Sequence, residues 1–360
     1  MKKKSTRAAA FLLAVVLTVS AAACGNSENA GETTFPAASE GTYTSAQETP
    51  EEISTESASS PSSSEGSPET TGPVEQTTGA PAPVPSSAPA LQPTAADGQA
   101  LGITAQSAVL YSCADGKTLV AKRSDNLVYP ASTAKLLTAI IALRYVPLSD
   151  AVTVGDELDL VQPHSSLAYL AKGQQLTMDT LLHALLIPSG NDAAYTIAAH
   201  TGRVIAGNPA LSPSEAVSVF VNTMNQIAAE LGMKNSFFTN PDGYDDPKQQ
   251  TTAEDLALLG AEFVKHPELT AITSLFSYDA VFTSGERITW KNTNALIDAS
   301  NANYVSECIG LKTGSSAYSG NCLVSAFTHG GQSYIAVVMN SSKAARWSDS
   351  ILLYQYLIQQ

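Results

Sequence analysis

The chain has 360 residues, 44% of them hydrophobic, 14% charged and 7% aromatic, with a formal net charge of −14. That balance excludes a wholly disordered chain and a multi-span membrane protein; the length exceeds one average domain of roughly 100–200 residues without clearly reaching two. Residues 1–24 carry four basic groups and no acid, residues 25–100 eleven acids and no Lys or Arg, and residues 101–360 fifteen basic against twenty-two acidic. The acidity thus belongs mostly to one segment. The mildly acidic remainder offers no phosphate-binding surface, so nucleic acid is not an expected partner.

Lys2, Lys3, Lys4 and Arg7 precede an apolar run from Ala8 to Val19 and the small residues Ala21, Ala22 and Ala23. This predicts a secretory signal over residues 1–24, since about a dozen apolar residues fall short of the roughly 20 that cross a bilayer. Cys24 stands where bacterial lipoprotein signals place the cysteine that receives diacylglycerol, with Ala21 where such signals usually carry Leu. Two readings follow. Lipidation of Cys24 would supply the two or three acyl chains that stable anchoring takes; plain cleavage after Ala23 would leave a free thiol. A lone thiol just past a cleavage site has no other evident use, which favours the lipid.

Residues 25–100 are expected to form a disordered tether. Ten of the nineteen prolines lie here among Ser, Thr, Glu, Ala and Gly, and the few large apolar residues are Phe35, Tyr43, Ile53 and Leu91. Such a segment cannot bury enough apolar surface to fold, and as a flexible coil it would span roughly 50 Å root-mean-square.

The folded part is expected over residues 101–360. Residues 105–112 and 117–122 read as strands joined at Asp115-Gly116, a hairpin signal. Residues 132–145 have a helical period with Leu136, Leu137, Ile140, Ile141 and Leu143 spread over nearly every face, which predicts burial on most sides. Helices are predicted at 178–187, 192–200, 214–231 and 252–265, and strands at 305–313, 322–328 and 333–339. A last helix at 344–358 carries Trp347, Ile351, Tyr354 and Ile358 on one stripe. Strands at both ends around a helical middle predict an α+β domain. Its antiparallel sheet, of about five strands, would be flanked by helices with a mainly helical subdomain.

Three short motifs carry chemistry. Ser132-Thr133-Ala134-Lys135 puts a hydroxyl and an amine one turn apart on one helix face. A serine needs a base, and a lysine serves if desolvation and a neighbouring cation depress its pKa. The bland alternative, an N-cap and a surface charge, sits badly in so apolar a helix. Ser189-Gly190-Asn191, with Asp192 following, falls at a break between helices, where a loop can project a hydroxyl and an amide into a cleft; alone it is a C-cap followed by an N-cap. Lys312-Thr313-Gly314 ends a strand. A cation and a hydroxyl there can hold a carboxylate, with glycine permitting close backbone approach; alone the motif is an ordinary strand ending.

Together and in this order the three motifs are those of β-lactamases and penicillin-binding proteins. With Asn240-Pro241-Asp242-Gly243, Thr252-Ala253-Glu254-Asp255-Leu256 and Asn292-Thr293-Asn294, they make residues 103–345 resemble the low-molecular-mass penicillin-binding proteins, which are serine D-Ala-D-Ala carboxypeptidases. The resemblance implies a β-lactamase/transpeptidase-like fold. It implies Ser132 as the acylated nucleophile, Lys135 as its base and Ser189 as a proton relay. Asn191 would contact the substrate amide, Lys312 and Thr313 would hold the terminal carboxylate, and Gly314 would keep that strand edge open. The N–H groups of Ser132 and Ser315 would form the oxyanion hole. The implied substrates are peptidoglycan stem peptides ending in D-Ala-D-Ala, with β-lactams as inhibitors and neither cofactor nor metal. The implied location is extracytoplasmic, on the bacterial membrane facing the wall, held through a lipid on Cys24.

Many members of that family carry a further β-rich domain and a C-terminal amphipathic helix; here anchoring is expected from the N-terminal side instead. Gln249 stands where the family often has His. A class A β-lactamase would need a Glu in a Glu-x-x-Leu-Asn segment, whereas residues 222–235 offer only Glu230 followed by Leu231-Gly232-Met233, and Gly190 replaces the Asp of the lactamase motif. D,D-endopeptidase action uses the same machinery, so only cleft shape separates it. A non-catalytic wall-binding role conflicts with intact Ser132, Lys135, Ser189, Asn191, Lys312 and Thr313. His164, His183, His200, His266 and His329 show no metal-ligand spacing. Cys113, Cys308 and Cys322 are odd in number, and a strand turn near residue 317 would set Cys308 opposite about residue 326. No disulfide is expected.

Overall fold

The computed structural model describes residues 95–360. The predicted signal over 1–24, with Cys24, and the tether up to residue 94 lie outside the described residues.

Three strands open the described chain: β1 (Ala96–Asp97), β2 (Ser107–Ser112) and β3 (Lys117–Lys122). The middle begins with α1 (Lys135–Tyr145), followed by the short pair β4 (Ala151–Thr153) and β5 (Gln175–Thr177). Then come α2 (Met178–Leu186), α3 (Asn191–Ala206), α4 (Pro213–Glu230), α5 (Ala253–Phe263) and α6 (Pro267–Thr273). A second pair, β6 (Ser277–Val281) and β7 (Arg287–Lys291), leads to β8 (Cys308–Ser316), β9 (Gly320–His329), β10 (Gln332–Ser341) and α7 (Ala345–Ile358).

One six-stranded sheet in the order β1-β3-β2-β10-β9-β8 joins the two ends of this chain. All its pairings are antiparallel except β1 with β3. The sheet is covered on both faces, which explains why β10 reads as a continuous apolar run. Ile335, Val337 and Met339 face one cluster, shared with α1 and α5; Ala336 and Val338 face the other, shared with Trp347, Leu353 and Leu357 of α7. Each fully buried aliphatic side chain contributes about 1.5–3 kcal/mol. Both faces of the same strands therefore hold the catalytic edge, β8, in place.

The structure adjusts the sequence reading at several points. The sheet has six strands because β1, inside the segment read as tether, pairs Ala96 with Val120 and Asp97 with Ala121. The pairs β4/β5 and β6/β7, and α6, add to the predicted elements; each strand there buries at most one residue fully, too little for a periodic signal. The predicted helix over 132–145 divides into a 3₁₀ turn at Ala131–Ala134 and an α-helix from Lys135, because Ala131 adopts φ +47°. On α7 the buried stripe is Trp347, Ser350, Leu353 and Leu357, whereas Ile358 is largely exposed. Cys113, Cys308 and Cys322 are free thiols; Cys308 lies opposite Phe327 and Cys322 opposite Gly314.

A polar clasp explains why α7 turns Asp349 inward. The buried Asp349 carboxylate accepts the N–H groups of Thr104 (3.0 Å) and Ala105 (2.8 Å), the Thr104 hydroxyl and the Ser341 hydroxyl. It thereby ties the start of the sheet domain to its last helix. Asp349→Ala strands two backbone N–H groups. It is expected to lower unfolding free energy by about 2–4 kcal/mol, read as a fall in the denaturant midpoint at unchanged slope.

Candidate active site

Ser132 lies on the 3₁₀ turn that enters α1, and Lys135 is the first residue of α1 proper. The spacing of three puts both on one side of the helix, where Lys135 Nζ is 2.9 Å from Ser132 Oγ. Lys135 is wholly buried. Its other two hydrogen bonds run to Asn191 Oδ1 and to the Asp242 backbone carbonyl, each at 2.7 Å.

These three partners decide what the amine can do. As an ammonium it has three N–H groups for three acceptors. As a free amine it keeps two N–H groups and one lone pair. Asn191 Oδ1 and the Asp242 carbonyl can only accept, so they claim the two N–H groups. The Ser132 hydroxyl alone can donate to the lone pair. The surroundings therefore aim the base at one proton. Burial lowers the Lys135 pKa from 10.5 to about 8, against the charges of Asp242 and then Asp192, which raise it. At pH 7 about one amine in ten is then unprotonated.

The second motif begins at Ser189, buried and in a left-handed conformation at φ +67°. That bend delivers Asn191 as the first residue of α3. Asn191 Nδ2 donates to Ser165 Oγ at 2.9 Å, at the cleft edge. Asp192, which sequence reading left without a role, accepts the N–H groups of Ala168 and Leu170 at 2.9 Å, so it holds the segment that carries Ser165. Lys135 makes all its hydrogen bonds to Ser132, Asn191 and Asp242, and none to Ser189.

The turn at Asn240-Pro241-Asp242-Gly243 supplies the third partner of Lys135. Gly243 has φ +84°, and a Cβ there would lie 1.8 Å from the Ala131 carbonyl oxygen, so this turn can close on the nucleophile only with glycine. The Asp242 carboxyl is buried, with Oδ1 accepting the Tyr244 N–H and Oδ2 unpartnered; burial pushes its pKa up.

Strand β8 forms the opposite wall. A Cβ at Gly314 would stand 3.2 Å from the Ser132 nitrogen, so the strand runs directly against the nucleophile's own peptide. Ser315 and Ser316 line the cleft with Ser132 and Asn191. Thr313 Oγ1 is hydrogen-bonded to Thr293 Oγ1, from the Asn292-Thr293-Asn294 segment. Lys312 is buried and donates to the Thr313 carbonyl at 3.1 Å. Burial, then the like charges of Lys135 and Arg346, push its pKa well down. Arg346, the one basic residue of α7, also reaches this wall. Its guanidinium lies 4.3 Å over the Trp347 ring and donates to the Gly314 carbonyl at 3.3 Å. In the sequence it stands out only as the single cation of α7.

Among the described residues no group of three or more His, Cys, Asp or Glu side chains is set to hold a metal ion. His183 stacks on Tyr278 at 3.8 Å between centroids, and His200 pairs with Asp150 at 2.9 Å. Glu230, the acid weighed for a lactamase-type role, pairs with Arg144 at 3.0 Å on the surface.

Comparison with known proteins agrees with this geometry. A family profile described as D-alanyl-D-alanine carboxypeptidase matches residues 93–343. The D-alanyl-D-alanine carboxypeptidase of Streptomyces sp. strain K15 is 32% identical over 251 residues, 67% of this chain and 82% of that protein. The D-alanyl-D-alanine carboxypeptidase DacA of Haemophilus influenzae is 34% identical over 66% of this chain, which spans only 57% of that relative's length. Among solved structures, the Streptomyces K15 DD-transpeptidase superposes with a TM-score of 0.65 at 31% identity, covering 72% of this chain and 98% of that one. Penicillin-binding protein D2 of Listeria monocytogenes, in its ampicillin-bound form, gives 0.57 at 25% identity, covering 70% of this chain and 97% of that one. The chain belongs to the D-alanyl-D-alanine carboxypeptidase family of serine peptidases.

Proposed function

We propose that this chain removes the terminal D-Ala from peptidoglycan stem peptides ending in D-Ala-D-Ala, through an acyl-enzyme on Ser132. The observation that carries the reading is the Lys135–Ser132 hydrogen bond inside a shell whose other members can only accept. The Ser132 proton passes to the Lys135 lone pair as Oγ attacks the carbonyl of the penultimate D-Ala. The N–H groups of Ser132 and Ser315 receive the developing oxyanion, an arrangement typically contributing several kcal/mol. Lys135 returns the proton to the departing amine, with Ser189 as relay, and D-Ala leaves. Water then attacks the ester, with Lys135 again taking the proton.

Lys312 and Thr313 hold the substrate's terminal carboxylate, and Arg346 adds charge behind Gly314. Asn191 contacts the substrate by exchanging its Nδ2 bond to Ser165 for one to a substrate carbonyl. The two buried amines titrate as a pair. A bound carboxylate holds the proton on Lys312, and that charge favours release of the proton from Lys135. β-Lactams would take the same path and remain on Ser132. The solved K15 enzyme is named a DD-transpeptidase, so an amine is the second acceptor to test against water; product masses distinguish them.

The family acts on peptidoglycan, outside the cytoplasm. We infer that residues 1–24 export the chain, that Cys24 receives the lipid, and that the following segment up to residue 94 spaces the enzyme from the membrane. No helix among the described residues is long and apolar enough to cross a membrane.

Four outcomes test these assignments. Ser132→Ala is expected to abolish D-Ala release from Nα-acetyl-Lys-D-Ala-D-Ala and covalent labelling by benzylpenicillin, each read by mass spectrometry. Labelling that survives removes Ser132 as nucleophile, and no D-Ala release by the parent chain removes the proposed activity. Because Lys135 acts only when unprotonated and titrates near 8, benzylpenicillin acylation should rise about tenfold per pH unit below that point. It should level off above that point. A flat profile from pH 6 to 9 contradicts Lys135 as base. Lys135→Arg should lose acylation by orders of magnitude, since a guanidinium stays protonated, while Lys312→Arg should be milder. Finally, Cys24→Ala is expected to move the protein from the membrane to the soluble secreted fraction, read by fractionation.

A further inference from the structure

The cleft beside Ser132 has a volume of about 240 Å³, and Asp245 is the one carboxylate among the described residues that line it. No Lys or Arg lines the same cleft. Asp245 Oδ1 is buried and has no hydrogen-bond partner. The carboxylate forms no ion pair among the described residues, whose pairs all lie elsewhere. Next to it, the Tyr244 hydroxyl reaches the Pro163 carbonyl at 3.4 Å and bridges two walls of the cleft. The backbone holding Asp245 is pinned in turn. Asn240 Oδ1 accepts the Gly243 N–H at 2.8 Å, and Gln249 Nε2 donates to the Tyr244 carbonyl at 3.0 Å. Gln249 thus supports this turn.

A carboxylate with one oxygen cut off from both water and partners is poorly compensated, and a cation alongside it is the strongest compensation available. The substrate class supplies one. In a stem peptide the residue before D-Ala-D-Ala is a diamino acid; its side-chain amine is a free ammonium in uncross-linked stems and an amide in cross-linked ones. If the terminal carboxylate rests on Lys312 and Thr313 and the scissile carbonyl at Ser132, that side chain lies upstream in a cleft whose one carboxylate among the described lining residues is Asp245.

We propose that Asp245 is a specificity-determining residue that binds the free side-chain ammonium of the residue preceding D-Ala-D-Ala. The enzyme then favours uncross-linked stems over those whose amine is acylated. This selects carboxypeptidase action on new strands over cleavage beside existing cross-links, a choice the catalytic residues alone leave open. The inference rests on the carboxypeptidase reading above.

The test compares kcat/KM for Nα-acetyl-Lys-D-Ala-D-Ala and its Nα,Nε-diacetyl form, in the parent chain and in Asp245→Asn. The parent is expected to prefer the free amine by about 10-fold or more, the scale of one charge-assisted hydrogen bond. Asp245→Asn should bring the ratio close to one, chiefly by raising KM for the free-amine peptide, while Asp245→Glu keeps a preference. Equal rates on the two peptides in the parent overturn the proposal without any variant. So does an unchanged ratio in Asp245→Asn, or an equal loss on both peptides, which marks a merely structural role. No D-Ala release from either peptide overturns the carboxypeptidase reading and this proposal with it; equal release overturns this proposal alone.

Discussion

The site depends on one buried nitrogen. Lys135 Nζ draws together the entry to α1, the start of α3 and the turn at Asp242, whose residues lie 56 and 107 positions away along the chain. An amine removed from water would cost several kcal/mol without partners, so these segments must meet at hydrogen-bond distance for the domain to be stable. The same requirement builds the catalyst. Two of the three acceptors cannot donate, which leaves the serine hydroxyl as the only source for the proton the base must take.

Backbone conformation supports that meeting point. Ala131, Ser189 and Gly243 all have left-handed φ values, of +47°, +67° and +84°, and each sits where one of the converging segments bends. For the two residues with a Cβ this conformation costs roughly 1–2 kcal/mol each, held by the surrounding packing. The two-faced sheet provides that packing. Because β10 and β9 are covered on both sides, β8 is a rigid edge, and the close passage of Gly314 along the Ser132 peptide is fixed by the core.

Charge is sorted around this frame. Lys135, Lys312 and Arg346 gather near β8 and the nucleophile, where a terminal carboxylate would be received, and burial with the charges of Lys135 and Arg346 lowers the affinity of Lys312 for its proton. On Lys135 burial lowers the pKa and the charges of Asp242 and Asp192 oppose it, leaving the value near 8. Asp245 sits apart from these pairings, on the cleft wall with an unpartnered oxygen. A substrate carrying an anion at its end and a cation upstream matches that arrangement.

What the sequence by itself determined is whatever depends on local spacing. Ser132 and Lys135 are one helical turn apart, so their contact follows from the chain geometry. The apolar residues around them required the lysine to be buried. Strand β3 and the approximate positions of the helices follow from periodicity over many residues. The tertiary structure alone decided the rest. The third partner of Lys135 is a backbone carbonyl, which every residue possesses and no motif marks. Arg346 and Asp349 looked like ordinary polar positions on a terminal helix, yet one reaches the Gly314 carbonyl and the other accepts two N–H groups near the start of the sheet domain. The buried stripe of α7 includes Asp349 and Ser350 and differs from the one its apolar residues predict. The short pairs β4/β5 and β6/β7 bury too few side chains to leave a period. Contacts between segments far apart in the chain come from packing two faces of one sheet, and spacing along a sequence does not encode which polar atom finally meets which.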